Sequence, residues 1–233
     1  VFAPTCRQLG RRNNHPADLL ALDGGWVYFF EAALSGGICM AALEVVKIDM
    51  KQMTAIPQET SQTCWFSCYQ MMLQWKGYGT GKIGDYKGEF PPAPIKDKLE
   101  AAQIDWNDAV ATGLKGKDFR KAAHALGLEA NGVGQQWTTQ DLKRFLSYPS
   151  PIWVAGNWDH FFHVVVVIGV EIDNDLDWDE VGTIKDRSKV TYIDPNWKGA
   201  KQASIETKSC YSWLPGSYAY KGIIGAWQVW KKS

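Results

Sequence analysis

Four residues of this 233-residue chain have types and spacing that could break an acyl bond. Cys64 lies in the stretch IPQETSQTCWFSC, directly before Trp65 and at the head of an apolar run. Ser61 or Thr63 can cap a helix that starts there, which places Cys64 in its first turn. The positive end of the helix dipole favours a thiolate at that position, and the thiolate is the nucleophilic form. The position also suits a small buried hydrophobe, because free cysteine is among the most buried residue types.

The other three residues complete the chemistry. His163 opens the run HVVVVIGV, where a ring anchored on a strand can take the thiol proton and later hand it to a leaving amine. His160, three residues earlier, competes for that role. Asp194 ends VTYIDP. Its carboxylate can accept a hydrogen bond from the imidazole and fix its tautomer, or it can simply end a strand in an Asp-Pro turn. Gln58, six residues before Cys64, can lend an amide N–H to the oxygen that turns negative when an amide is attacked. The backbone N–H of Cys64 is the second donor. Gln62 is nearer, but a two-residue offset leaves little loop to turn its amide back. Each of the four fits an ordinary packing or surface role when taken alone. Together they point to acyl transfer through a thioester.

The elements that must position them can be read coarsely. Residues 63–75 have apolar positions at helical spacing, with Gly77 and Gly79 as a stop. Residues 76–94 are Gly- and Pro-rich and read as a loop. Residues 95–103 and 117–130 read as amphipathic helices, and Thr138 or Thr139 can cap a third helix that Pro149 and Pro151 end. The period then changes. Residues 151–158, 163–172 and 189–197 read as strands, the polar acidic stretch 173–188 as a hairpin loop, and Tyr218 to Trp230 as a further strand or two. Helices first and strands after them is the pattern of an α+β fold.

Composition narrows the class. A chain of this length buries roughly 70–75% of its unfolded surface and needs no disulfide or metal to hold a core. Lys plus Arg equals Asp plus Glu, so there is no basic footprint for nucleic acid. The five cysteines, Cys6, Cys39, Cys64, Cys68 and Cys210, are odd in number and fit no disulfide framework. With His15, His124, His160 and His163 they make no zinc-finger spacing, so neither metal nor cofactor is expected. Of the 12 tryptophans, Trp65, Trp158 and Trp197 flank the candidate residues and are the candidates to line a substrate groove.

The first fifty residues set themselves apart as an extension, with residues 51–233 as the domain that carries the chemistry. The chain opens on Val1 rather than Met, as expected of a processed product or a piece of something longer. Residues 24–46 are apolar-rich behind Arg11 and Arg12, as in a signal peptide, but Asp23 precedes the run, and Glu31 and Glu44 interrupt it and exclude a membrane span. A pro-segment, docking arm or linker is the expectation there.

The six-residue offset from Gln58 to Cys64 and the Cys64-Trp65 pair resemble the nucleophile signature of papain-like cysteine peptidases. LGLEA, a helix, PIWVAGNW, HVVVVIGV and VTYIDP are similar in order to the compact bacterial avirulence-effector members, and more loosely to bacteriocin-leader peptidases. The resemblance covers about residues 55–231. It implies a helical part carrying the cysteine helix, packed against a C-terminal antiparallel sheet. It implies Cys64 as nucleophile, His163 as base, Asp194 as its orienter and Gln58 as oxyanion donor. His163 is the match rather than His160 because Gly169 follows it by six residues. The resemblance further implies a secreted or delivered bacterial effector or toxin made in the cytoplasm, a protein substrate, and a cognate immunity or inhibitor protein. The thirty-one residues from His163 to Asp194 exceed the compact pattern, and the insert 173–188 accounts for the excess.

Two other readings use the same residues. A transglutaminase or deamidase would attack glutamine side chains through the same triad, although Gln58 fits a peptidase better. A silent papain-like binding module would reuse the fold without the reaction, although the complete set argues against decay.

Overall fold

The computed structural model describes residues 21–22, 25–29, 43–50, 53–76, 93–131, 137–147, 150–158, 161–173, 187–196, 202–217, 223 and 225–230. Its organising element is helix α1, Cys64–Trp75. Every residue from Cys64 through Met72 is buried, so the helix is enclosed on all sides rather than amphipathic. A buried helix must satisfy its polar side chains inside the protein. Ser67 Oγ donates to the Pro57 carbonyl at 3.1 Å, and the Tyr69 hydroxyl donates to Gln228 Oε1 at 3.0 Å. Gln228 Nε2 in turn donates to the Phe119 and Gly225 carbonyls.

Around α1 lies an antiparallel sheet of nine strands among the described residues. In chain order these are β1 (Ala21–Leu22), β2 (Gly25–Phe29), β3 (Glu44–Ile48), β4 (Leu128–Asn131), β5 (Ile152–Trp158), β6 (Phe161–Ile172), β7 (Lys189–Asp194), β8 (Ser204–Ser209) and β9 (Trp227–Trp230). One path of neighbours runs β1-β2-β3-β6-β5-β9-β4, and β7 pairs with both β6 and β8. The long strand β6 thus carries β5, β3 and β7, and its all-valine stretch 164–167 is buried. Helices α2 (Ala93–Ala101), α3 (Trp106–Thr112), α4 (Phe119–Ala125), α5 (Thr139–Ser147) and α6 (Cys210–Ser217) complete the domain. The architecture is α+β, with the cysteine helix packed on the antiparallel sheet.

The structure departs from the sequence reading in several places. The helix expected over 117–130 begins as a 3₁₀ turn at Gly116–Asp118 and ends at Ala125. Gly127 at φ +82° turns the chain, and Leu128–Asn131 leaves as β4 beside β9. Helices α3 and α6 and strand β8 were not expected. Pro215 lies inside α6, which conceals that helix from a reading that treats proline as a stop. Within the first fifty residues, β3 pairs with β6 from Glu44↔Ile172 to Lys47↔Gly169 and buries Val46 and Ile48. Gly169 makes this join possible, since a Cβ there would lie 2.9 Å from the Lys47 side chain and 3.3 Å from the Val46 carbonyl. Most of the insert 173–188 lies outside the described residues.

Candidate active site

Cys64 is the first residue of α1. Thr63 occupies the cap position, but its hydroxyl does not cap the helix as the sequence suggests. It turns back to Thr60, accepting from the Thr60 N–H at 3.1 Å and donating to the Thr60 carbonyl at 3.2 Å. The Thr63 carbonyl takes the N–H groups of Phe66 and Ser67. The N–H groups of Cys64 and Trp65 precede the first residue that a helix carbonyl can serve, so they stay available at the head of the helix. Trp153 on β5 fixes this turn from below, its indole N–H donating to the Trp65 carbonyl at 3.3 Å.

Strand register brings the imidazole and the carboxylate together. Ile193 pairs with Val166, so Asp194 stands beside Val165 and His163 lies two residues further along β6 on the same side. Diagonal neighbours at that spacing are within reach of long side chains. His163 Nε2 meets Asp194 Oδ1 at 2.7 Å, which leaves Nδ1 as the nitrogen that can serve Cys64. Burial works to lower the His163 pKa, but hydrogen bonds to Asp194 and Cys64 and their charges prevail and raise it to about 10. Burial works to raise the Asp194 carboxyl. Its hydrogen bond with His163, the N–H of Asn196 at 2.7 Å and the charge of Lys208 hold it below the usual carboxylate range. Asn196 adopts φ +38° to aim that N–H back at the carboxylate.

Cys68 marks the contrast one turn along α1. It is fully buried and donates to the Val164 carbonyl at 3.3 Å. Burial first, then the nearby Cys64 and Asp194, push its thiol well above the ordinary value. It is a packing residue with no path to a substrate.

A model of the family described as papain-like cysteine protease AvrRpt2 matches residues 46–209. The chain belongs to this family. No curated protein and no solved structure matches it. The match begins inside β3 and ends with β8, so it spans the cysteine helix, both strands of the His–Asp pair and part of the segment set apart as an extension.

The protease has a cleft of about 350 Å³ beside Cys64. One wall is the head of α1 with Gln62 and Trp65, another is β6 with Phe162 and His163, and the third is the loop Thr112–Gly116. The loop wall was missed in the sequence, where nothing but Gly113 and Gly116 marks it. Gly113 holds φ +90° after α3 and donates to the Ala109 carbonyl. The Asp108 side chain accepts from the Thr112 hydroxyl and pairs with Lys115, tying the two ends of the loop to α3. Phe162 is also new, an aromatic 65% exposed at the cleft beside His163.

The remaining sequence candidates fall differently. Trp65 lines the cleft but is 1% exposed and packs edge-on against Phe66, Tyr69 and Trp106. Trp158 is half-buried, stacks on Trp213 at 5.1 Å and donates its indole N–H to the Trp213 carbonyl at 2.8 Å. It is not among the cleft residues, because two glycines draw its ring onto β5 instead. Gln58 is buried at 6% exposure. Its backbone N–H donates to the Pro195 carbonyl, and its Nε2 to the Thr60 carbonyl at 2.8 Å. One amide hydrogen of Gln58 therefore remains for another acceptor. Gln62, set aside on loop length, is the glutamine that lines the cleft. His160 and Trp197 lie outside the described residues. Among the described residues no group of three His, Cys, Asp or Glu side chains could hold a metal ion, and no helix is long and apolar enough to cross a membrane.

Proposed function

We propose that this papain-like cysteine protease cuts peptide bonds with Cys64 as nucleophile, His163 as acid and base, and Asp194 as the group that orients the imidazole. The observation that supports it most is the seat of His163, bonded at 2.7 Å to Asp194 through Nε2 and lining one cleft with Cys64. The Cys64 sulfur, its proton held on His163, adds to the substrate carbonyl carbon. The carbonyl oxygen takes the negative charge, and the N–H groups at the head of α1, with the Gln58 amide, are the donors we assign to it. His163 then gives its proton to the amine as the C–N bond breaks, leaving a thioester on Cys64. Water, deprotonated by His163, attacks the thioester and releases the acid and the thiol.

Substitution Cys64→Ala tests the assignment. It should lower the cleavage of a protein substrate by about 10⁴-fold or more, with unfolding unchanged, and activity at the wild-type level would end it.

The resemblance to avirulence-type peptidases supports a finer reading, that of a bacterial effector or toxin delivered into another cell and held in check by a cognate inhibitor protein. Expression of the active and Cys64→Ala chains in candidate target cells tests it. Toxicity that follows the active form supports delivery, and equal harmlessness of both forms counts against it.

A further inference from the structure

The glycines at 156 and 216 keep open a space that the Trp158 ring fills. A Cβ on Gly156 would meet ring carbons of Trp158 at 2.5–2.8 Å, and a Cβ on Gly216 of α6 would meet Trp158 Cδ1 at 2.2 Å. Gly156 is the cross-strand partner of His163 in the β5–β6 pairing. Side chains of directly opposed residues leave the sheet on the same side with Cβ atoms roughly 5 Å apart. The indole therefore occupies the place that the side chain opposite His163 would take, on the side of the sheet where Asp194 also stands. Its far edge is held by the Trp213 carbonyl at 2.8 Å and by the stack on Trp213. Tyr192, next but one to Asp194 on β7, packs against that same Trp213 at 5.9 Å. One aromatic assembly thus stands on the same side of the sheet as both partners of the His–Asp hydrogen bond.

We propose that Trp158 is a positioning residue for the reaction: its indole, seated in the Gly156–Gly216 gap, walls off the His163–Asp194 pair from water and fixes the imidazole toward Cys64. This rests on the assignment of His163 as acid and base. A flat, weakly polar wall beside the pair leaves a single position for the ring and strengthens its hydrogen bond to the carboxylate by lowering the local dielectric.

The test uses three variants, Trp158→Phe, Trp158→Leu and Gly156→Ala, and two readouts. The first is kcat and KM against pH on a protein substrate. The second is NMR titration of the His163 ring, assigned by loss of its signal in His163→Gln, and it needs no turnover. Trp158→Leu should lower kcat about ten-fold with KM within about two-fold, and should move the His163 titration down from its raised value. Trp158→Phe, which keeps a flat ring, should recover most of both. Gly156→Ala removes no core volume but pushes the indole out, so it should reproduce the Trp158→Leu effect if that variant fails to fold. Folded variants whose His163 titration and kcat match wild type would overturn the positioning role. An altered titration in a chain that cleaves nothing even as wild type would instead keep the positioning role and remove the peptidase assignment on which it was built.

Discussion

At the scale of single residues, two cysteines four positions apart on one helix have opposite surroundings. Cys64 sits at the helix head with His163 beside it, while Cys68 is enclosed and bonded to a strand carbonyl. Iodoacetamide at neutral pH should therefore label Cys64 and spare Cys68, read by peptide mass mapping of the folded protein. Equal labelling of the two would contradict the contrast. His163 sets the pH behaviour. Its pKa in the folded chain is raised to about 10 from an ordinary 6.5, so the stability it contributes is complete below about 6.5 and is lost as pH rises through about 10. The imidazolium is also the form that protonates the leaving amine, so kcat should hold through neutral pH and fall as pH approaches about 10. A rate profile whose basic limb lies near 7 would show that His163 is not held by its two partners. As candidates, Cys64 and Asp194 were legible in the sequence because one opens α1 after Thr63 and the other closes β7 before Pro195, and His163 because it heads the valine run, two residues inside β6. Gln62 and Phe162 were not, because cleft lining depends on which loops meet, and no local pattern encodes that.

At the scale of elements, α1 is the piece on which the site depends. Its first turn is held by Trp153 through the Trp65 carbonyl, and its last by the Trp230 indole N–H on the Met72 carbonyl at 3.2 Å. In the middle, Tyr69 stacks on Trp153 at 5.2 Å and bonds Gln228. Removing the Tyr69 hydroxyl leaves Gln228 Oε1 without that donor in a fully buried place. Tyr69→Phe should cost about 1–3 kcal/mol in urea unfolding while leaving the Cys64 end of the helix intact. No loss of stability would mean that the buried network adds nothing. The period of the apolar residues announced α1, β5 and β6 within a residue or two and β7 with an end three residues too late, because long valine-rich or helix-spaced runs leave little choice. It hid α6 behind Pro215, and it joined α4 to β4 because Leu126 and Leu128 continue a helical spacing that only Gly127 interrupts.

At the scale of the whole molecule, β6 is the common member of three pairings, and one of them reaches into the first fifty residues. Ile48 of β3 is buried at 6% exposure. Ile48→Ala should cost about 2–5 kcal/mol by chemical unfolding, as for core truncations elsewhere in the domain. A cost under about 0.5 kcal/mol, the range of surface changes, would place β3 outside the cooperative unit. A reader of sequence sets this strand apart because five residues after an uninformative stretch carry too little pattern, and because its partner lies more than 120 residues away. Strand β9 has the same property with a sharper result. It sits between β5 and β4 and supplies the Gln228 and Trp230 bonds to α1, across separations of 159 and 158 residues. During synthesis the nucleophile helix therefore leaves the ribosome long before its supports exist. A nascent chain halted ahead of Gly225 would carry Cys64 but lack the Gln228 and Trp230 bonds to its helix, so the onset of cleavage would report the docking of β9. The nucleophile is thus armed only once a strand made some 150 residues later has reached it.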